Sequence, residues 1–123
     1  MHKIVTIFIL VLMGTSVYAG GDEEEQLLNT NSCVNCDLSN AGLEKADLRK
    51  ADFSGAKLYR ANMEYADLSN VRLRGANLTN AILDNAILRY TNLGDANLSG
   101  ASLKGAKLRD ARFSNTKTDG IRF

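Results

Sequence analysis

From Cys36 to the last residue the chain repeats with a period of five. Written in fives it reads CDLSN, AGLEK, ADLRK, ADFSG, AKLYR and so on to TKTDG, ending on IRF. Of the 17 complete units, 13 begin with Ala, the exceptions being Cys36, Val71, Thr91 and Thr116. Thirteen also carry Leu in third place, where Phe53, Met63, Phe113 and Thr118 make up the rest. This period rules out the two ordinary solutions. Five residues of α-helix advance about 500°, so successive Leu side chains would wander round the axis. A continuous strand alternates with period two, and an odd repeat would send successive Leu to opposite faces.

A short extended piece followed by a corner resolves the conflict, because first and third residues then point inward in every unit. Four corners of about 90° close a square coil of about 20 residues, and stacked coils share parallel ladders about 4.8 Å apart. Small Ala alternating with bulky Leu lets opposing walls interdigitate. The remaining places hold Asp, Asn, Ser, Gly, Lys and Arg, which suit turns and solvent. There is no proline in the chain, so no ladder N–H is missing. The 88 residues from Cys36 onward make about four and a half coils and a rod roughly 21 Å long.

On these residues the chain resembles the pentapeptide-repeat family, whose unit is A-[DN]-L-x-x. The resemblance covers residues 36–123. It implies an all-β fold, a right-handed quadrilateral parallel β-helix, and right-handed crossovers are the general rule for parallel strands.

The N-terminus reads as targeting. Met1-His2-Lys3 is a short basic start, Ile4 to Met13 is an apolar run, and Val17 and Ala19 are small residues placed for a signal peptidase. Residues 1–19 are expected to be a signal peptide, with the mature chain starting at Gly20 in a periplasmic or secreted location. An uncleaved anchor is the alternative, but ten apolar residues fall short of the roughly 20 that a spanning helix needs. No stable membrane insertion is expected after cleavage. Cleavage removes His2, the only histidine, and leaves 14 Lys and Arg against 14 Asp and Glu. Residues 20–35 form the segment before the repeats, and Asp22 to Leu28 reads as a short helix with acids in its first turn. Leu27 and Leu28 could cap the first coil; an acidic recognition tail is the other reading. Exported members of the family often open in this way, with C-x-x-C-D-L leading into the repeats.

Cys33 and Cys36 are the two cysteines of the chain. They fall on inward places either side of one corner, a separation compatible with a disulfide in an oxidising compartment. Buried free thiols are the competing reading. A redox catalyst would want the pair at a helix N-terminus, and zinc would need further ligands. Without a mature histidine there is no Ser-His or Cys-His pair, and no phosphate or dinucleotide motif occurs. No catalytic residue, metal or cofactor is expected. Glu44, Glu64 and Asp84 should stack on one wall, ending at Lys104, as a cation site or a solvated wall. Arg49, Arg89 and Arg109 should stack on the next wall and neutralise it.

Two surfaces stand out. Ile82 and Ile87 occupy outward second places near Tyr65 and Tyr90, as a contact patch or as ordinary surface residues. At the far end Phe113, Ile121 and Phe123 are large and apolar, while Thr116 and Thr118 weaken the interior pattern. That coil is a candidate homodimer end, which the resemblance also implies, against a monomer with a folded-back C-terminus. These features describe a non-catalytic exported scaffold or binding protein that contacts a protein or an envelope component. The alternative is a DNA mimic that protects gyrase, as cytoplasmic members of the family do. A neutral mature chain and a signal peptide both argue against it, and no nucleic-acid partner is expected.

Overall fold

A computed structural model describes residues 32–123, and these form one continuous four-sided coil. The signal peptide, the expected cap helix at 22–28 and the mature N-terminus at Gly20 lie outside the described residues. Fifteen parallel bridges among the described residues run from Ser32↔Asp52 to Ser102↔Arg122, and every one joins residues 20 apart. They define four walls. The first carries Ser32, Asp52, Arg72, Asn92 and Arg112; the second Asp37, Lys57, Asn77, Asn97 and Lys117. The third carries Gly42, Asn62, Ile82, Ser102 and Arg122; the fourth Asp47, Asp67, Ile87 and Lys107. The ladder begins before the boundary expected at Cys36, because Ser32 already pairs with Asp52. Each wall is paired through single residues, so the described chain contains neither helix nor multi-residue strand. Only three residues lie between corners, and the middle one alone bridges to the coils on both sides.

The corners are uniform. All eighteen fifth places from Asn35 to Gly120 have φ between 57° and 72°. At each corner the following first-place N–H donates to the third-place carbonyl, as Ala81 N–H does to Leu78 O at 3.0 Å. A positive φ at the third residue of a turn closed in this way is the type II pattern. Asn, Asp or Gly fills thirteen of these corners; the others are Lys45, Lys50, Arg60, Tyr65 and Tyr90.

Three further N–H groups of each inner unit are used between coils. Leu58 N–H donates to Asn77 O at 2.8 Å, Asn77 N–H to Ala56 O at 2.9 Å, and Asn80 N–H to Ser99 O at 2.9 Å. That leaves the fourth-place N–H, and the second-place side chain accepts it. Asp37, Asp47, Asp52, Asn62, Asp67, Asn77, Asn92 and Asn97 each take the N–H two residues on, at 2.9–3.2 Å. These are Asx turns, and they give a physical reason for Asp or Asn in second place. Every second-place Asp or Asn in the described chain does this, so the polar consensus residue satisfies the backbone as well as facing water.

The core is the stack of first and third places. From Cys33 to Leu103 it holds Ala, Leu, Phe53, Met63 and Val71, all essentially removed from solvent. Burying each such Leu is worth roughly 1.5–3 kcal/mol. Threonine in first place is accommodated by a side-chain hydrogen bond. The fully buried Thr91 donates its hydroxyl to Leu68 O at 2.7 Å, and Thr116 repeats the bond to Leu93 O at 2.7 Å. Each uses a second lone pair on a carbonyl that already closes the turn one coil below. Thr118 lies exposed in the final layer.

Candidate functional site

The cysteine pair sits at the first described corner. Cys36 N–H donates to Cys33 O at 3.2 Å, and a disulfide joins the two side chains with the Cα atoms 5.2 Å apart. Both residues are buried, with 1% and 2% exposure, and belong to the core. The bridge therefore ties the first described turn, with its sulfurs facing inward.

Two members of the acid column, Glu44 and Asp84, accept hydrogen bonds from their neighbours. Asn62 Nδ2 donates to Glu44 at 3.1 Å. The hydroxyl of the buried Ser102 donates to Asp84 Oδ1 at 2.5 Å, and Lys104 N–H donates to the same oxygen at 3.1 Å. Ser102 stands where Asn or Asp would cap Lys104 N–H, and Asp84 supplies that cap from the coil below. Among the described residues no group of three or more His, Cys, Asp and Glu is placed to hold a metal ion.

The basic column differs from its expected role as a counter-wall. Arg49 forms a two-pronged contact with Asp47 of its own wall, at 2.7 and 2.6 Å, and approaches Asp67 at 4.0 Å. Its hydrogen bonds hold the Asp47 carboxyl below the usual carboxylate range. Arg109 turns to Asp110 at 3.5 Å. At Asp52, burial pushes the carboxyl up, but the Ser54 hydroxyl and N–H with Arg72 nearby outweigh it, and the net shift is downward.

The outward apolar residues cluster as the register requires. Ile82 on the third wall and Ile87 on the fourth flank the corner at Asn85; Tyr65 holds that corner one coil lower, and Tyr90 the next corner along. Tyr65 and Tyr90 are each 55% exposed and Ile82 36%, while Ile87 is half-buried. Their strain was not legible in the sequence. Both tyrosines adopt φ of 61°, a region bulky side chains rarely occupy. At the C-terminal layer Phe113 is 37% and Phe123 75% exposed, and Ile121 packs partly against the core. Phe113 continues an inward column, and no coil of this structure covers it.

The pentapeptide repeat profile matches residues 36–75, 66–105 and 76–115, each as an eight-copy block. The chain belongs to the pentapeptide repeat family, whose members form right-handed, four-sided β-helices. HetL, a pentapeptide repeat protein involved in heterocyst differentiation regulation in the cyanobacterium Nostoc, is similar at 40% identity and a TM-score of 0.51. That alignment covers 69% of this chain and 37% of HetL, so this chain spans little more than a third of its length. A second Nostoc pentapeptide repeat protein aligns at 26% identity and a TM-score of 0.52, covering 80% of this chain and 89% of that one. Comparison with curated proteins returns no significant match.

Proposed function

We propose that this protein is a non-catalytic binding rod, exported to the periplasm or beyond and engaging a protein or envelope component through its walls. The observation that carries the reading is the division between inward and outward places. Inward places are filled by Ala, Leu and their substitutes, and the coil needs nothing more from its surface than turn residues. Ile82, Tyr65 and Tyr90 nevertheless place apolar side chains outward, and the tyrosines do so on strained corners. Export rests on residues 1–19, and a capping role for the segment expected at residues 20–35, of which Ser32 onward joins the coil, rests on its sequence. HetL, whose role is regulatory, is an example of a relative without an enzyme's name.

DNA mimicry is disfavoured by charge. Residues 32–123 contain 14 Lys and Arg against 10 Asp and Glu, a net +4 where a mimic of duplex DNA needs a strongly negative surface. The test places a photo-crosslinking side chain at position 90, and at position 75 as a control, where an added Cβ meets nothing within 4 Å. Crosslinks to one envelope protein from position 90 and not from 75 are expected. Recovery of the protein from the cytoplasm, bound to gyrase, would refute the proposal.

A further inference from the structure

The fourth wall changes character along the rod. In its lower half Asp47 and Asp67 stand one above the other, and Arg49 neutralises them from the same wall. In its upper half the ladder places are Ile87 and Lys107, bordered at the turns by Arg89 and Arg109. Arg109 has Asp110 at 3.5 Å, whereas no carboxylate among the described residues pairs with Arg89 or Lys107. Arg89 and Arg109 are related by the 20-residue register, so their backbone positions stack about one ladder spacing apart and put two basic residues on the same strip of surface.

Tyr90 adds an independent observation. Its corner is held by Asn70 one coil below and Asp110 one coil above, both suited to a positive φ, yet this position carries an exposed tyrosine at φ 61°. Strain retained on a surface residue points to a use outside the fold. The same small area thus combines the half-buried Ile87 with the exposed Tyr90, Arg89 and Lys107, and tyrosine and arginine are among the residues enriched at the anchors of protein interfaces.

We infer that the upper fourth wall docks an extended acidic segment of a partner protein, with carboxylates on Arg89 and Lys107 and an apolar side chain against Ile87 and Tyr90. This rests on reading the protein as a binding rod. Charge complementarity selects an anion, and the apolar half of the surface selects a peptide over a polyanion that lacks aliphatic side chains.

The probes are fluorescent octapeptides alternating Glu with Leu, Lys with Leu, and Glu with Ser, together with vesicles containing anionic lipid. The Glu-Leu peptide should bind, and more weakly as salt rises. Arg89→Glu with Lys107→Glu should weaken it about tenfold or more, and Ile87→Ser severalfold. Tyr90→Asn is the decisive variant, since it should raise Tm by relieving the corner while weakening binding severalfold. Binding of the Lys-Leu or Glu-Ser peptide as tight as that of Glu-Leu would overturn the inference, as would indifference to the charge reversals. Vesicle binding without peptide binding would overturn it too. A partner protein that crosslinks only to the second wall would sink this inference and leave the binding-rod reading standing.

Discussion

The side-chain oxygen of Asn80 lies so close beneath the α-carbon of Gly100 that a Cβ at Gly100 would collide with it. Asn35 bears the same relation to Gly55, and Asn85 to Gly105. In each pair the two residues occupy the same corner of successive coils, and both have positive φ. Glycine suits the upper member on two grounds, its backbone conformation and the space the asparagine takes in its present rotamer.

Gly100→Ala should therefore destabilise the protein by more than the roughly 1–2 kcal/mol expected for a left-handed alanine. Adding Asn80→Gly should return the collision part and leave the backbone part. Urea melts of the two single variants and the double variant measure the coupling, expected at about 0.5–1 kcal/mol or more. Strict additivity would show that the asparagine moves aside freely.

The Asx turns separate the two chemistries of the second place. Asn77 Oδ1 accepts from Thr79 N–H at 3.0 Å and from its hydroxyl at 2.5 Å. Asn77→Asp keeps an acceptor there and should be nearly silent, while Asn77→Ala should cost about 1 kcal/mol. Leu78→Asp, one residue on and fully buried, should abolish folding by placing a carboxylate in an apolar stack. Circular dichroism and melting curves rank the three; equal effects at 77 and 78 would contradict the register.

What could be read from the sequence followed from the period. Inward Ala41 and Leu43, the 20-residue coil and the meeting of Cys33 with Cys36 all depend only on which places share a face. What could not be read depends on atoms beyond that pattern. The Asp84 bond to Lys104 N–H needs the absence of a cap at Ser102 and a neighbour one coil away. Arg49 looked like a counter-charge for the adjacent wall because spacing cannot tell which way a long side chain turns. The buried Thr91 was only an exception to the Ala pattern in the sequence, because its acceptor, Leu68 O, is 23 residues away and already carries a turn bond.

The disulfide closes a very short loop, so it removes little unfolded-chain entropy. Reduction should lower stability by about 2 kcal/mol at most, with the loss concentrated in the first described coil. Thiol titration of denatured, unreduced protein should find none, and hydrogen exchange before and after reduction locates the loss. Two titratable thiols in freshly isolated protein would remove the bridge from the account.

Acid sensitivity follows from the lowered carboxyls of Asp47 and Asp52. A carboxyl whose folded-state pKa is depressed stabilises the fold fully above its unfolded value of about 3.9, and the contribution is lost as pH falls through the folded value. Tm should hold steady down to about pH 4 and then fall. Asp52→Asn keeps the acceptor for Ser54 N–H but not the titration, so its curve should fall less steeply. An identical slope in wild type and variant would assign the acid loss to other groups.

The C-terminal layer supports a proposal of self-association whose salt dependence can be stated in advance. The last ladder place on each wall is basic: Lys107, Arg112, Lys117 and Arg122. They ring an end where Phe113 and Phe123 are exposed and Leu108 and Ile121 are only partly covered. Two copies meeting end to end about a two-fold axis would bury these side chains but oppose two basic rims. Pairing should therefore strengthen as salt rises, because screening removes the repulsion and leaves the apolar contact. That is the opposite of the salt response expected for peptide docking on the fourth wall, so one titration separates the two. Light scattering at tens of micromolar should show the mean mass rising toward a dimer between low and high salt, and Phe123→Ser should abolish the rise. A monomeric mass across the whole range would rule out pairing through this layer.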